Sequence, residues 1–235
     1  MKFATSNSKK TVGEHIIGLI FLFFGLTVAH FGVSLFILSD LGKDTFTTLV
    51  SGIAGVVGLS VGTCHVIICS LLVVIMFFTT EGYVKAGTLV CAFGGGWIID
   101  LFNYLLGRFN IPEQSIYIRL GVMVGGCIFL SLGMSVVINS DSGTGPNDLI
   151  PIILNDKIND KKERVSFRLV RILCDAVYVG IGFLLGEMPG IGTICAVVLT
   201  GPVVQFFLPI TAKFAPPCCR NNFTELSERK HERSK

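Results

Sequence analysis

The stretch GLTVAHFGVSLFILSDLG, Gly25–Gly42, recurs 101 residues later as GCIFLSLGMSVVINSDSG, Gly126–Gly143. Gly25 falls on Gly126, Gly32 on Gly133, Ser34 on Ser135 and Ile37 on Ile138. Ser39, Asp40 and Gly42 fall on Ser140, Asp141 and Gly143. These are seven identities in 18 positions, where chance in this composition gives roughly one or two. The register then continues with small gaps. Ser60 meets Ser166 at a shift of 106, while Gly87-Thr88 and Gly96 meet Gly192-Thr193 and Gly201 at 105. Each copy reads as a long apolar run, an Asp-x-Gly break, a short helix and two further apolar runs.

The apolar runs are Glu14–Leu38, Ser60–Phe78, Ala86–Leu106, Ile116–Ile138, Ser166–Leu185 and Gly190–Ile210. Each has about 20 residues or more, enough as helix to cross a hydrocarbon core of about 30 Å. Phe46–Val57 and Asn147–Lys157 have only about three turns each, a length that suits re-entrant or interfacial helices. The composition agrees: 235 residues are 51% apolar and 15% charged, with mean hydropathy +0.72, against about 25% charged in a soluble domain. This excludes a soluble enzyme, a disulfide scaffold and a nucleic-acid module. The first run is too long for a signal-peptide core and has no small-x-small cleavage site after it.

The expected fold class is therefore an all-α polytopic membrane protein of six transmembrane helices plus two short helices. Three spans per copy is an odd number, so the second copy enters the membrane from the opposite side, as in inverted-repeat transporters. The chain divides into a tail at 1–13, membrane repeats at 14–110 and 111–212, and a tail at 213–235. Lys and Arg set the orientation. With the N-terminus inside, fourteen lie on inner segments, against Lys43, Arg108 and Arg119 outside. Both termini are then cytoplasmic, in a cell (inner) membrane. Cys64, Cys69, Cys91, Cys127, Cys174 and Cys195 lie in spans without metal-ligand spacing and read as small packing residues. Cys218 and Cys219, just past the last span, are chemically open to acylation.

Several stretches resemble the YczE/YyaS-type (YitT-like) bacterial integral membrane proteins. They are Gly18–Gly25, Ser39–Gly42, Gly58–Thr63, Ser140–Asp148 and Gly190–Thr193. The family pattern after the first span resembles Asp-Leu-Gly-x-Ser-Pro-Trp-Asp. The second half keeps Asp141, Gly143, Pro146 and Asp148 of it, whereas the first half has Asp44-Thr45-Phe46-Thr47 at the last four positions. The resemblance covers about residues 14–210. It implies a six-span bacterial inner-membrane protein and no particular substrate.

Ionisable groups inside spans are costly unless paired or hydrated, so each is a candidate for function. Arg164, Arg168, Arg171 and Asp175 share one helical stripe, and Arg171 and Asp175 can pair at i, i+4. Arg168 and Arg171 are also within snorkelling reach of the cytoplasmic side. Asp40-x-Gly42 and Asp141-x-Gly143 invite two compatible readings. In one, the carboxylates N-cap the short helices and the glycines supply positive φ. In the other, the helix N-termini face a solute. Asp148 adds a second acid beside Pro146. His65 and Asp100 are candidates for proton coupling and for pairing with each other, and His30 is a weaker one. Gly94–Gly96 reads as a close-packing site.

No catalytic motif, nucleotide loop or metal ligand set is present, so catalytic residues, metal and cofactor are each expected to be none. The expected function is transport of a small anionic or zwitterionic solute, with proton coupling open. The alternatives are a non-transporting accessory or scaffold protein, or a passive channel. The expected partners are the lipid bilayer and the solute, no nucleic acid, with a homo-oligomer left open.

Overall fold

The computed structural model describes residues 11–80, 83–160, 165 and 167–216. Eight helices follow one another: α1 Val12–Ser39, α2 Thr45–Val57, α3 Val61–Thr79, α4 Ala86–Leu106, α5 Ile116–Asn139, α6 Pro146–Asp160, α7 Phe167–Leu184 and α8 Ile191–Phe214. Two 3₁₀ turns, Gly107–Phe109 and Ile111–Glu113, join α4 to α5, and no strand occurs among the described residues. Cys218, Cys219 and Arg164 lie outside the described residues.

Local chemistry sets the helix boundaries. Thr11 donates its backbone N–H to Glu14 Oε2 at 2.7 Å where α1 starts. Asp44 caps α2 by accepting from the Thr47 amide at 3.2 Å, and Ser60 caps α3 by accepting from the Thr63 amide at 3.0 Å. Such caps satisfy amides that have no partner inside the helix. The two Asp-x-Gly breaks share one backbone shape. Asp40 and Asp141 have φ of 50° and 49°, and Gly42 and Gly143 both have φ of 130°. Glycine fits that last conformation because it lacks a Cβ.

Five segments are long and apolar enough to cross a membrane: α1, α3, α4 with the 3₁₀ turn that continues it, α5 and α8. The sixth expected span, α7, has 18 residues but carries Arg168, Arg171 and Asp175. The charges that set α7 apart are among those the sequence marks as candidates. The chain is a multi-pass membrane protein.

At the centre α1 lies along α5, with backbone against backbone. A Cβ at Gly32 would run into the Leu130 amide, and one at Gly133 into the Ala29 amide. A Cβ at Gly25 would sit 2.8 Å from the Val136 side chain. Lipid offers little hydrophobic drive between helices, so contact area of this kind is what holds them. Around this pair, Phe36, Ile99, Met123 and Leu130 form one buried cluster, and Phe46, Val50, Cys69 and Ala92 another.

The breaks are pinned reciprocally. Gly192 of α8 donates its amide to Leu41 O at 2.8 Å, and Gly87 of α4 donates to Ser142 O at 2.9 Å. In each case the break that follows one copy's first helix is held by the last helix of the other copy. One relation is not reciprocal. α3 packs tightly on α4, with Gly62 against Gly96, whereas α7 and α8 make no comparable contact among the described residues. Arg168 stands at the position equivalent to Gly62, and a Cβ at Gly201 would meet nothing within 4 Å.

Candidate functional site

The two short helices begin inside the helix bundle rather than at its ends. Thr45, the first residue of α2, donates its hydroxyl to Asp175 Oδ1 at 2.8 Å, halfway along α7. From there α2 runs beside α7, so that Gly52 meets Gly182. The first turn of α6 reaches the same place. Asp148 Oδ1 lies 3.0 Å from Arg171 Nη1, and the Tyr178 hydroxyl donates to the Asn147 carbonyl at 3.3 Å. Arg171 also faces Asp175 one turn on, with Nε 3.7 Å from Oδ2. The N-terminal ends of α2 and α6 therefore converge on the Arg171–Asp175 turn of α7.

Asp44 completes this cluster. Its Oδ2 caps α2, but its Oδ1 is buried and has no hydrogen-bond partner among the described residues. The cluster thus holds three carboxylates, Asp44, Asp148 and Asp175, and one guanidinium. Two helix N-termini add partial positive charge, each equivalent to about half an elementary charge. Thr45, Thr47, Thr48 and Ser51 bury a run of hydroxyls along the adjoining turns of α2. Aromatic contacts extend the cluster toward α3. Phe46 meets Tyr178 edge to face at 5.6 Å between ring centroids and meets His65 at 5.5 Å.

Of the residues the sequence singles out, Asp148, Arg171 and Asp175 come together, with Pro146 fully buried at the first position of α6. Arg168 lies on α7 one turn before Arg171. Asp40, Gly42, Asp141 and Gly143 are elsewhere. Asp40 pairs with Arg119 at 3.1 Å and Asp141 with Lys85 at 3.1 Å. The backbones of Gly42 and Gly143 abut Thr193 and Thr88.

The expected N-capping role is corrected for these two aspartates. They turn the chain out of α1 and α5 in the left-handed conformation, and it is Asp44 that caps α2. The expected Asp100–His65 pair is also absent. Asp100 accepts from Ser60 Oγ at 2.5 Å and from the Gly62 amide at 2.9 Å, so it tethers α4 to the start of α3. His65 instead has His30 beside it, 5.4 Å between ring centroids.

In the sequence Asp44 and Thr45 stand out only as departures from the family pattern, and Tyr178 does not stand out at all. Comparison of the copies hides Asp44, because Gly145 stands at its equivalent position. A signal existed nonetheless, since an aspartate just before Thr45-Phe46 is an N-cap pattern. Among the described residues no three His, Cys, Asp or Glu side chains gather into a metal site, and the described cysteines are free thiols.

Comparison with known proteins gives relatives of the kind that the sequence motifs resemble. The chain is 28% identical over 197 residues to YczE, an uncharacterized membrane protein of Bacillus subtilis, covering 83% of this chain and 87% of that one. It is 27% identical over 189 residues to the uncharacterized protein YyaS of the same organism, covering 80% and 91%. An uncharacterized protein of Haemophilus influenzae is 27% identical over 192 residues, covering 82% and 84%. No solved structure matches. Residues 16–209, which hold the two breaks, all eight helices except their outermost turns, and the charged cluster, match the family of unknown function DUF6198, and the chain belongs to that family.

Proposed function

We propose that this protein is a transporter-like protein of the bacterial inner membrane that moves a small zwitterionic solute. The observation that carries this reading is the buried cluster of Asp44, Asp148, Arg171 and Asp175 at two converging helix N-termini. A charged group inside a membrane protein is costly unless it is paired or serves a pathway. Arg171 with the two helix ends suits a carboxylate, as helix N-termini commonly do. The unpartnered oxygen of Asp44 suits an ammonium group. An anion alone would leave Asp44 uncompensated, so the zwitterion is the better match of the two solute classes.

The architecture we infer is two inverted three-span repeats, with α1, α3 and α4 in one and α5, α7 and α8 in the other. The reciprocal bonds Gly192 to Leu41 and Gly87 to Ser142 support it, because a two-fold relation between copies exchanges partners in this way. Broken helices that begin near the middle of the bundle are the usual site builders in such proteins. We place both termini in the cytoplasm, following the Lys and Arg distribution. Lys43–Glu187 at 2.6 Å and Arg119–Asp40 join segments assigned to the outer side, and Lys85–Asp141 joins segments assigned to the inner side.

One observation favours a second reading, a non-transporting scaffold: Arg171 already has two carboxylates, as a purely structural ion pair would. Proteoliposomes decide between them. Radiolabelled zwitterionic amino acids are offered with and without a pH gradient to wild type, Arg171→Ala and Asp44→Asn. Uptake by wild type that falls at least tenfold in both variants supports transport. No uptake of any compound by protein of wild-type stability supports the scaffold, and uptake unchanged in both variants counts against the Arg171–Asp44 site.

A further inference from the structure

α4 and α8 hold equivalent places in the two copies, yet only α4 has its packing face covered. On α4 that face carries Gly96 and Asp100. Gly96 lies against Gly62 of α3, and Asp100 accepts hydrogen bonds from Ser60 and Gly62. At a shift of 105 the same face of α8 carries Gly201 and Gln205. A Cβ added to Gly201 would meet nothing within 4 Å. Gln205 is exposed, and its side-chain amide has no hydrogen-bond partner among the described residues. Ile194 and Val198 continue the face at helical spacing, 65% and 61% exposed. The apolar window of α8 is 22% buried, against 33–50% in the other four spans that are long and apolar enough to cross a membrane.

Gln205 is a costly residue to leave bare at this depth. α8 runs over the 24 residues Ile191–Phe214, so Gln205 lies about 4 Å from the middle of the helix. Hydrocarbon offers neither donor nor acceptor, and an amide there is paired by a neighbouring helix. Pro202 and Pro209 add to the demand, because a proline has no N–H for the carbonyl four residues back, here Val198 and Gln205. The helix equivalent to α3 is α7, and it is engaged elsewhere. Gly182 packs on Gly52 of α2, Asp175 accepts from Thr45, and Arg171 pairs with Asp148 of α6. Arg168 stands at the sequence position equivalent to Gly62, the glycine that lets α3 close on α4.

We propose that the Gly201–Gln205 face of α8 is a dimer interface whose occupant is α8 of a second copy of this chain. Two copies that enter one membrane in the same sense are related by a two-fold axis along the membrane normal. Such an axis sets the same patch of each copy against the other, so the patch must be complementary to itself. A primary amide meets that condition, because it carries both donor and acceptor. Each Gln205 donates from Nε2 to Oε1 of the Gln205 across the axis. Gly201, one turn away, lets the two backbones approach, as small residues do between membrane helices. An aspartate, which α4 has at the equivalent position, would repel its own copy. The interface does not depend on the transport reading, since a carrier and a scaffold can both use it.

The test uses the full chain in lipid bilayers. Fluorescently labelled protein is diluted into liposomes, and the chains in each spot are counted by stepwise photobleaching. Wild type is expected to bleach in two steps. Gly201→Leu and Gln205→Leu should each lower the dimer fraction at least tenfold. Both positions are open in the single chain, so helix content and thermal unfolding should stay those of wild type. A photo-crosslinking benzoylphenylalanine in place of Val198 then identifies the occupant, and it also decides the matter if a leucine variant fails to fold. Capture of α8 of a second copy is the expected product. Capture of α7 within the same chain, or of lipid alone, would overturn the proposal. Wild type that bleaches in one step, or a dimer that persists unchanged in both variants, would do the same.

Discussion

Arg171 shows how much one side chain decides here. It is the positive partner of both Asp148 and Asp175, and its removal leaves two carboxylates without their guanidinium in a mostly buried place. Breaking a buried pair from one side typically costs about 3–5 kcal/mol. Arg171→Ala is therefore expected to lower stability in detergent by that order, measured by denaturant unfolding. The loss should shrink when Asp148→Asn is added, since the stranded charge is then reduced. Thr45→Val removes a hydrogen bond to a carboxylate and should cost about 1.5–3 kcal/mol. Asp141→Asn should cost less than about 1 kcal/mol, because Lys85 beside it is 36% exposed and such pairs contribute little. The contrast between Arg171 and Asp141 separates the buried cluster from the breaks that the sequence made look equivalent.

Among the helices, the α1–α5 crossing is where sequence pattern and packing agree most closely. Gly25, Gly32, Gly126 and Gly133 recur between the copies because both helices present the same face to each other, and each glycine admits the other backbone. Gly133→Leu should prevent α1 and α5 from closing and abolish recovery of monodisperse protein in size-exclusion chromatography. Gly125→Ala, one residue from Gly126 but with nothing within 4 Å of an added Cβ, should be neutral or raise stability by up to about 1 kcal/mol. A Gly133→Leu variant of wild-type stability would show that the crossing does not hold the fold. The short helices were legible from length alone, as segments too brief to span. Where they begin was not, because the depth of a helix start depends on which neighbouring helix supplies its partner. For α2 that partner is Asp175, 130 residues away in the chain.

For the molecule as a whole, orientation is the expectation most open to direct measurement. Single cysteines at positions 2 and 160 should be labelled by an impermeant maleimide only from the cytoplasmic side, and one at position 110 only from the outside. Labelling of positions 2 and 110 from the same side would overturn the six-span arrangement. The asymmetry between the halves belongs to this scale as well. α3 and α4 are locked through Gly62, Gly96 and Asp100, whereas Arg168 and Gln205 stand at the sequence positions equivalent to Gly62 and Asp100.

By itself the sequence determined that the chain is a multi-pass helical membrane protein with two related halves and special backbone at Asp40-x-Gly42 and Asp141-x-Gly143. Those properties are local: hydropathy over about 20 residues, glycine where φ is positive, and charge confined to a few segments. Tertiary structure alone decided which charges of different segments meet. It drew Asp44 and Asp148 to Arg171 and Asp175, sent Asp40 to Arg119 and Asp141 to Lys85, and set His65 beside His30 rather than Asp100. The physical reason is that a polar group inside the membrane takes whichever partner the helix crossings bring within about 3 Å. No spacing along the chain encodes that distance.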